Sequence, residues 1–120
     1  MCFTTYKKPR RKRATKNIVC YKWIQRDLSP YVFSSHAAYE IGKIYHARDR
    51  DKKKIKKLRV IDYGDVWRVR EGIHSYSDII TSNPDNDKVI KCIIPKGTPY
   101  LHDKNYGEYV SLKVKPIKIL

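Results

Sequence analysis

The sequence predicts an α+β domain: an antiparallel-rich small sheet or partly open barrel with one or two short helices and a flexible basic N-terminal arm. Three observations predict it. Short runs of β-branched and aromatic residues, NIVCYKWI (17–24), VWRVR (66–70) and KVIKCII (88–94), are bounded by turn residues, as half-buried strands are. Two intervening stretches carry the start or stop signals of short helices. The first sixteen residues hold seven basic side chains, no acidic one and no apolar period.

Taken in order, MCFTTYKKPRRKRATK reads as the arm, residues 1–16, and residues 17–120 as one globular domain. NIVCYKWI is a first strand ended by RDLSP, where Pro30 disfavours a helical Ser29. His36 to Ile41 can form a helical turn or two, stopped by Gly42 before a strand at KIYHA. KKKIKKLRVIDYG begins as a solvated charged loop and returns to a strand at Val60 and Ile61. In VWRVR the alternation sends Arg68 and Arg70 to one face. His74 to Tyr76 extends the chain briefly, and Ser77 is an N-cap for a short helix ending near Ser82. KVIKCII is a buried strand, PKGT a turn, YLH a short strand and DKNYG another turn. EYVSLKVKPIKIL is a last strand whose Pro116 belongs at an edge or a bulge.

Length and composition bound the rest. A chain of 120 residues that is 41% hydrophobic, with ten Tyr, two Trp and two Phe, has enough apolar surface for one core. No apolar run is long enough to span a bilayer, and no apolar segment follows the basic start, so a soluble, unexported, cytoplasmic protein is expected, without membrane contact. Cys2, Cys20 and Cys92 form no C-x-x-C pair and read as reduced structural thiols. His36, His46, His74 and His102 show no metal-ligand spacing, so no metal or other cofactor is expected.

Charge is the strongest functional signal. Of the net +15, +7 lies in residues 1–16 and +6 in RDRDKKKIKKLR (48–59), which leaves +2 for the remaining ninety-two. Two concentrated basic runs on a nearly neutral body are a footprint for polyanions, since clustered Lys and Arg displace counterions from a phosphate backbone. The residues expected to hold nucleic acid are Lys7, Lys8, Arg10, Arg11, Lys12, Arg13, Lys52, Lys53, Lys54, Lys56 and Lys57, with Tyr6, Tyr45 and Tyr63 near them as stacking rings. No helix-turn-helix, RNP, KH or zinc-finger signature is present, so little sequence preference is expected.

EGIHSYSDII (71–80) invites a catalytic reading, with His74 as base and Ser75 or Ser77 as nucleophile. Adjacent strand residues face opposite ways, however, which separates His74 and Tyr76 from Ser75 and argues against a local dyad. Arg68, Arg70, His74 and Tyr76 would instead suit a small anionic nucleotide, as phosphate donors and a stacking ring. IPKGT lacks the spacing of a phosphate loop and reads as a turn at Lys96 and Gly97.

The segments EGIHSY, VIKCIIPKGTPY and EYVSLKVK, with YEIGKIY, resemble small uncharacterised proteins of tailed phages of gut bacteria, across about residues 39 to 114. The resemblance implies a viral protein acting in the host cytoplasm and carries no activity with it. The chain is also faintly similar to ADP-ribosyltransferase folds, whose motif runs from a strand arginine through Ser-Thr-Ser to Glu-x-Glu. Arg68 or Arg70, Ser75-Tyr76-Ser77 and Glu108 would occupy those places, but Tyr76 stands for the threonine and Tyr106 for the first glutamate. The leading expectation is a non-enzymatic phage-type protein that holds a nucleic-acid backbone. A nucleotide sponge that sequesters a host defence signal through Arg68, Arg70, His74, Tyr76 and Glu108 comes second, and an ADP-ribosyltransferase-like enzyme third.

Overall fold

A computed structural model describes residues 3–24, 39–49, 51, 53–69, 71–78 and 88–120. Eleven strands appear in chain order: β1 (Phe3–Thr5), β2 (Lys12–Arg13), β3 (Ile18–Ile24), β4 (Tyr45–His46), β5 (Val60–Asp62), β6 (Trp67–Val69), β7 (Ile73–Tyr76), β8 (Lys88–Ile94), β9 (Pro99–Asp103), β10 (Glu108–Ser111) and β11 (Lys113–Ile119). They form a three-stranded sheet, β1-β6-β5, and an eight-stranded sheet, β2-β9-β10-β7-β3-β8-β11-β4, with every pairing antiparallel.

The expected α+β class is thereby corrected. Among the described residues there is no helix, and the fold is all-β. Ile41 and Gly42 make a turn where a helix end was expected, and Ser77 and Asp78 are a bend. The Ser77 amide donates to the Gly107 carbonyl at 2.7 Å, which ties it across to the β9–β10 turn. The rest of both expected helices, and the strand expected at Tyr31 to Phe33, lie outside the described residues.

The second difference concerns the N-terminal segment. Residues 3–16 do not stand off as an arm: β1 adds a strand to β6, with Phe3 opposite Val69, and β2 adds one to β9, with Lys12 opposite Tyr100. Phe3 is wholly buried and Ala14 nearly so. One aromatic ring among seven basic residues suffices to bring the segment down, because burying a phenylalanine is worth roughly 1.5–3 kcal/mol.

The expected last strand is two strands. Leu112 breaks EYVSLKVKPIKIL, and its amide and carbonyl are taken by the Pro99 carbonyl and the Ala47 amide. The order of the large sheet places β7, β3 and β8 between β10 and β11, yet only Leu112 links those two strands. The sheet must therefore curl until its β10 and β11 regions meet at that residue. Pro116 does stand beside a register shift, between itself and Lys118.

Curling buries one face of the central strands. Cys20, Cys92, Ile90, Ile94, Ser75 and Pro116 are fully buried there. At the β9 and β10 end the other face is buried as well, by Leu101 and Val110. Gly72 lies against this second region with φ +144°, and a Cβ on it would collide with Val110 Cγ1 and press on Leu58 Cδ2. Leu58 is the buried end of the basic loop, so the small sheet, the loop and the large sheet share one core. No helix of the described residues is long and apolar enough to cross a membrane.

Candidate nucleic-acid interface

In KKKIKKLR the apolar Ile55 is half-buried against the core and Leu58 is buried, three residues apart. Anchoring those two side chains turns Lys53, Lys54, Lys56, Lys57 and Arg59 outward, and all five are exposed. The loop is itself braced. Asp49 Oδ1 accepts from the amides of Asp51 and Lys53, both at 2.9 Å, the Asp49 amide donates to the Lys53 carbonyl at 2.8 Å, and Arg48 bridges to Lys54. Lys52 lies outside the described residues.

The N-terminal run joins this loop directly. Arg11 Nε donates to the Leu58 carbonyl at 2.7 Å, across forty-seven residues of sequence. Lys7, Lys8, Arg10, Arg11, Lys12 and Arg13 are all exposed, so the two basic runs meet where Arg11 bonds to Leu58. Arg13 is oriented by a bond from its guanidinium to the Gly97 carbonyl at 3.0 Å.

Aromatic rings border this surface. The Lys8 ammonium stands 5.4 Å from the centroid of the half-buried Trp67 ring, and the Arg68 guanidinium 5.3 Å from that of Tyr63. Both are cation–π distances. Tyr6 is 83% exposed and Tyr63 41%, which leaves them open as expected stacking rings. Tyr45 is not open. It is buried, its ring meets Tyr39 edge-on at 4.7 Å, and its hydroxyl accepts from the Glu40 amide.

The residues expected around a small nucleotide separate into two places. His74 and Tyr76 share a half-buried face of β7, while Ser75 points the other way and is fully buried, in keeping with strand alternation. Glu108 lies opposite Tyr76 on β10 and reaches His74, with Oε1 3.2 Å from Nδ1. Burial and the Glu108 charge together push the Tyr76 hydroxyl pKa up. Arg68 belongs to the other sheet and faces Tyr63. Arg70 lies outside the described residues. Ser75 and Glu108, which would serve together in the transferase motif, therefore project from opposite faces of the sheet.

Sequence reasoning missed two groups. The first is Lys22, a buried lysine whose ammonium donates to the His74 carbonyl. Desolvation lowers its pKa. The second is a set of rings on the β9–β10 hairpin. His102 and Tyr109 are paired across the hairpin and stack at 4.3 Å with planes 12° apart, and Tyr100 tilts against Tyr109 at 6.0 Å. The signal was present in PYLHD, where Tyr100 and His102 alternate onto one face, with a ring due opposite once DKNYG is read as a hairpin turn. No known protein family matches the chain, and none of the curated proteins or solved structures matches it either.

Proposed function

We propose that this protein is a non-enzymatic binder of nucleic-acid phosphate backbone with little sequence preference. The observation that carries the reading is the bond from Arg11 to Leu58, which joins basic runs forty-seven residues apart. Lys7, Lys8, Arg10, Lys12 and Arg13 supply one side, and Lys53, Lys54, Lys56 and Lys57 the other. Phosphates neutralised by such residues release counterions, so affinity falls steeply with salt.

The test is a fluorescence titration of an oligonucleotide across a salt series, with wild type and two variants. One carries Gln at Lys53, Lys54, Lys56 and Lys57, the other Gln at Lys7, Lys8 and Arg10. Each variant should bind more weakly and show a shallower slope of log K on log salt, by about 0.7–0.9 for every phosphate it no longer neutralises. Binding that ignores salt, or slopes unchanged in both variants, would overturn the reading. Side-chain substitutions serve better than removal of residues 1–16, which would also remove β1, β2 and Phe3.

A small-nucleotide site built on His74, Tyr76 and Glu108 ranks second. The Glu108 carboxylate occupies that face, repels phosphate and already engages His74. If that site is the working one, a nucleotide panel will raise the melting temperature and Glu108→Gln will change the response.

A further inference from the structure

The geometry points to a base-stacking platform on the β9–β10 hairpin, formed by Tyr100, His102 and Tyr109 and fed by the basic edge strand β2, that takes single-stranded nucleic acid. This inference rests on the backbone-binding reading and names its substrate class.

Strand pairing puts the three rings on one face. Tyr109 is opposite His102, and Tyr100 and His102 are two residues apart on β9. All three are half-buried, with ring planes held by mutual contact. Each therefore needs little further ordering to receive a base, and every base has a π-face to offer.

Charge selects the occupant. β2 is an edge strand, and Lys12 stands opposite Tyr100, which puts its side chain on the ring face. The charges of Lys12 and Lys104 both act on His102 and hold its pKa below the usual range, after the larger effect of burial and against Asp103. Arg11, the residue before β2, reaches the opposite way to the Leu58 carbonyl. The edge strand thus carries cations toward the rings and toward the basic loop. A phosphate backbone running along β2 can keep its charges on these cations while its bases turn onto the rings. A duplex keeps its bases stacked inside and has none to present.

The test compares three probes of about 15 nucleotides, a length within the span of one small domain: labelled oligo-thymidylate, an abasic strand of the same length, and a duplex. The platform predicts that the thymidylate strand binds roughly tenfold or more tighter than the abasic one. Tyr100→Leu and Tyr109→Leu, each checked for retained fold by circular dichroism, should erase that difference and leave abasic binding unchanged. Photocrosslinking of wild type to a 5-iodouracil strand gives a readout without mutation, with adducts expected on Tyr100 or Tyr109. Equal, salt-dependent binding of thymidylate and abasic strands would overturn the platform and leave the backbone reading standing. Adducts confined to other rings, or polyglutamate binding as tightly as thymidylate, would also overturn it. Failure of all three probes at low salt would overturn both.

Discussion

Individual residues show how local geometry governs this chain. Gly72 combines a left-handed φ with no room for a Cβ between Val110 and Leu58. Gly72→Ala should cost about 2–4 kcal/mol, from backbone strain and overpacking together, read as a lowered urea midpoint. His102 makes a pH-dependent contribution. Its folded pKa lies below the unfolded value of about 6.5, so between the two the unfolded chain binds more protons. The contribution is therefore full above pH about 6.5 and is lost as pH falls through the folded value. Urea midpoints from pH 7 to pH 5 should fall less steeply in His102→Phe than in wild type, and parallel slopes would refute this.

Buried thiols make a further prediction at this scale. Cys20 and Cys92 are directly opposite on β3 and β8, both fully buried and free. Burial pushes both pKa values up, that of Cys92 to about 12, so neither is a thiolate near neutrality. In a Cys2→Ser background, labelling by iodoacetamide at pH 8 should be slow in buffer and fast in denaturant. Rapid labelling of the native protein would show that this face opens.

At the scale of elements, the strands with clear patterns were legible. NIVCYKWI and KVIKCII became β3 and β8, the longest pair in the structure, because their β-branched and aromatic residues suit a buried pleated surface. VWRVR became β6, and the turns at Lys96 and Gly97 and at residues 104–107 stand where Gly and Asn predicted them. The misses have physical causes. β1 and β2 are three and two residues long, too short for a period, and β2 is Lys-Arg, which no propensity assigns to a strand. A basic edge strand also deters pairing with other chains, so its charge fits a structural use as well. Leu112 breaks a run whose alternation looks continuous, because the curl of the sheet, a non-local demand, needs a corner there. Phe3→Ala tests whether the N-terminal strands belong to the fold: a loss of about 3–5 kcal/mol is expected, whereas a dangling arm would give none.

For the whole molecule, what the sequence by itself determined was composition and local pattern: one domain's worth of apolar residues, the main strands, the turns, and the confinement of nearly all the net charge to two runs. These follow from side-chain chemistry and short-range periodicity. Helix content was misjudged because capping signals are local and yield to sheet formation elsewhere in the chain. Only the tertiary structure decided that the two basic runs meet, that His74 and Glu108 pair while Arg68 goes to the other sheet, and that three rings of one hairpin form a platform beside Lys12. Each of these depends on which strands become neighbours. That is set by how the whole chain closes its core, and no short stretch of sequence contains it.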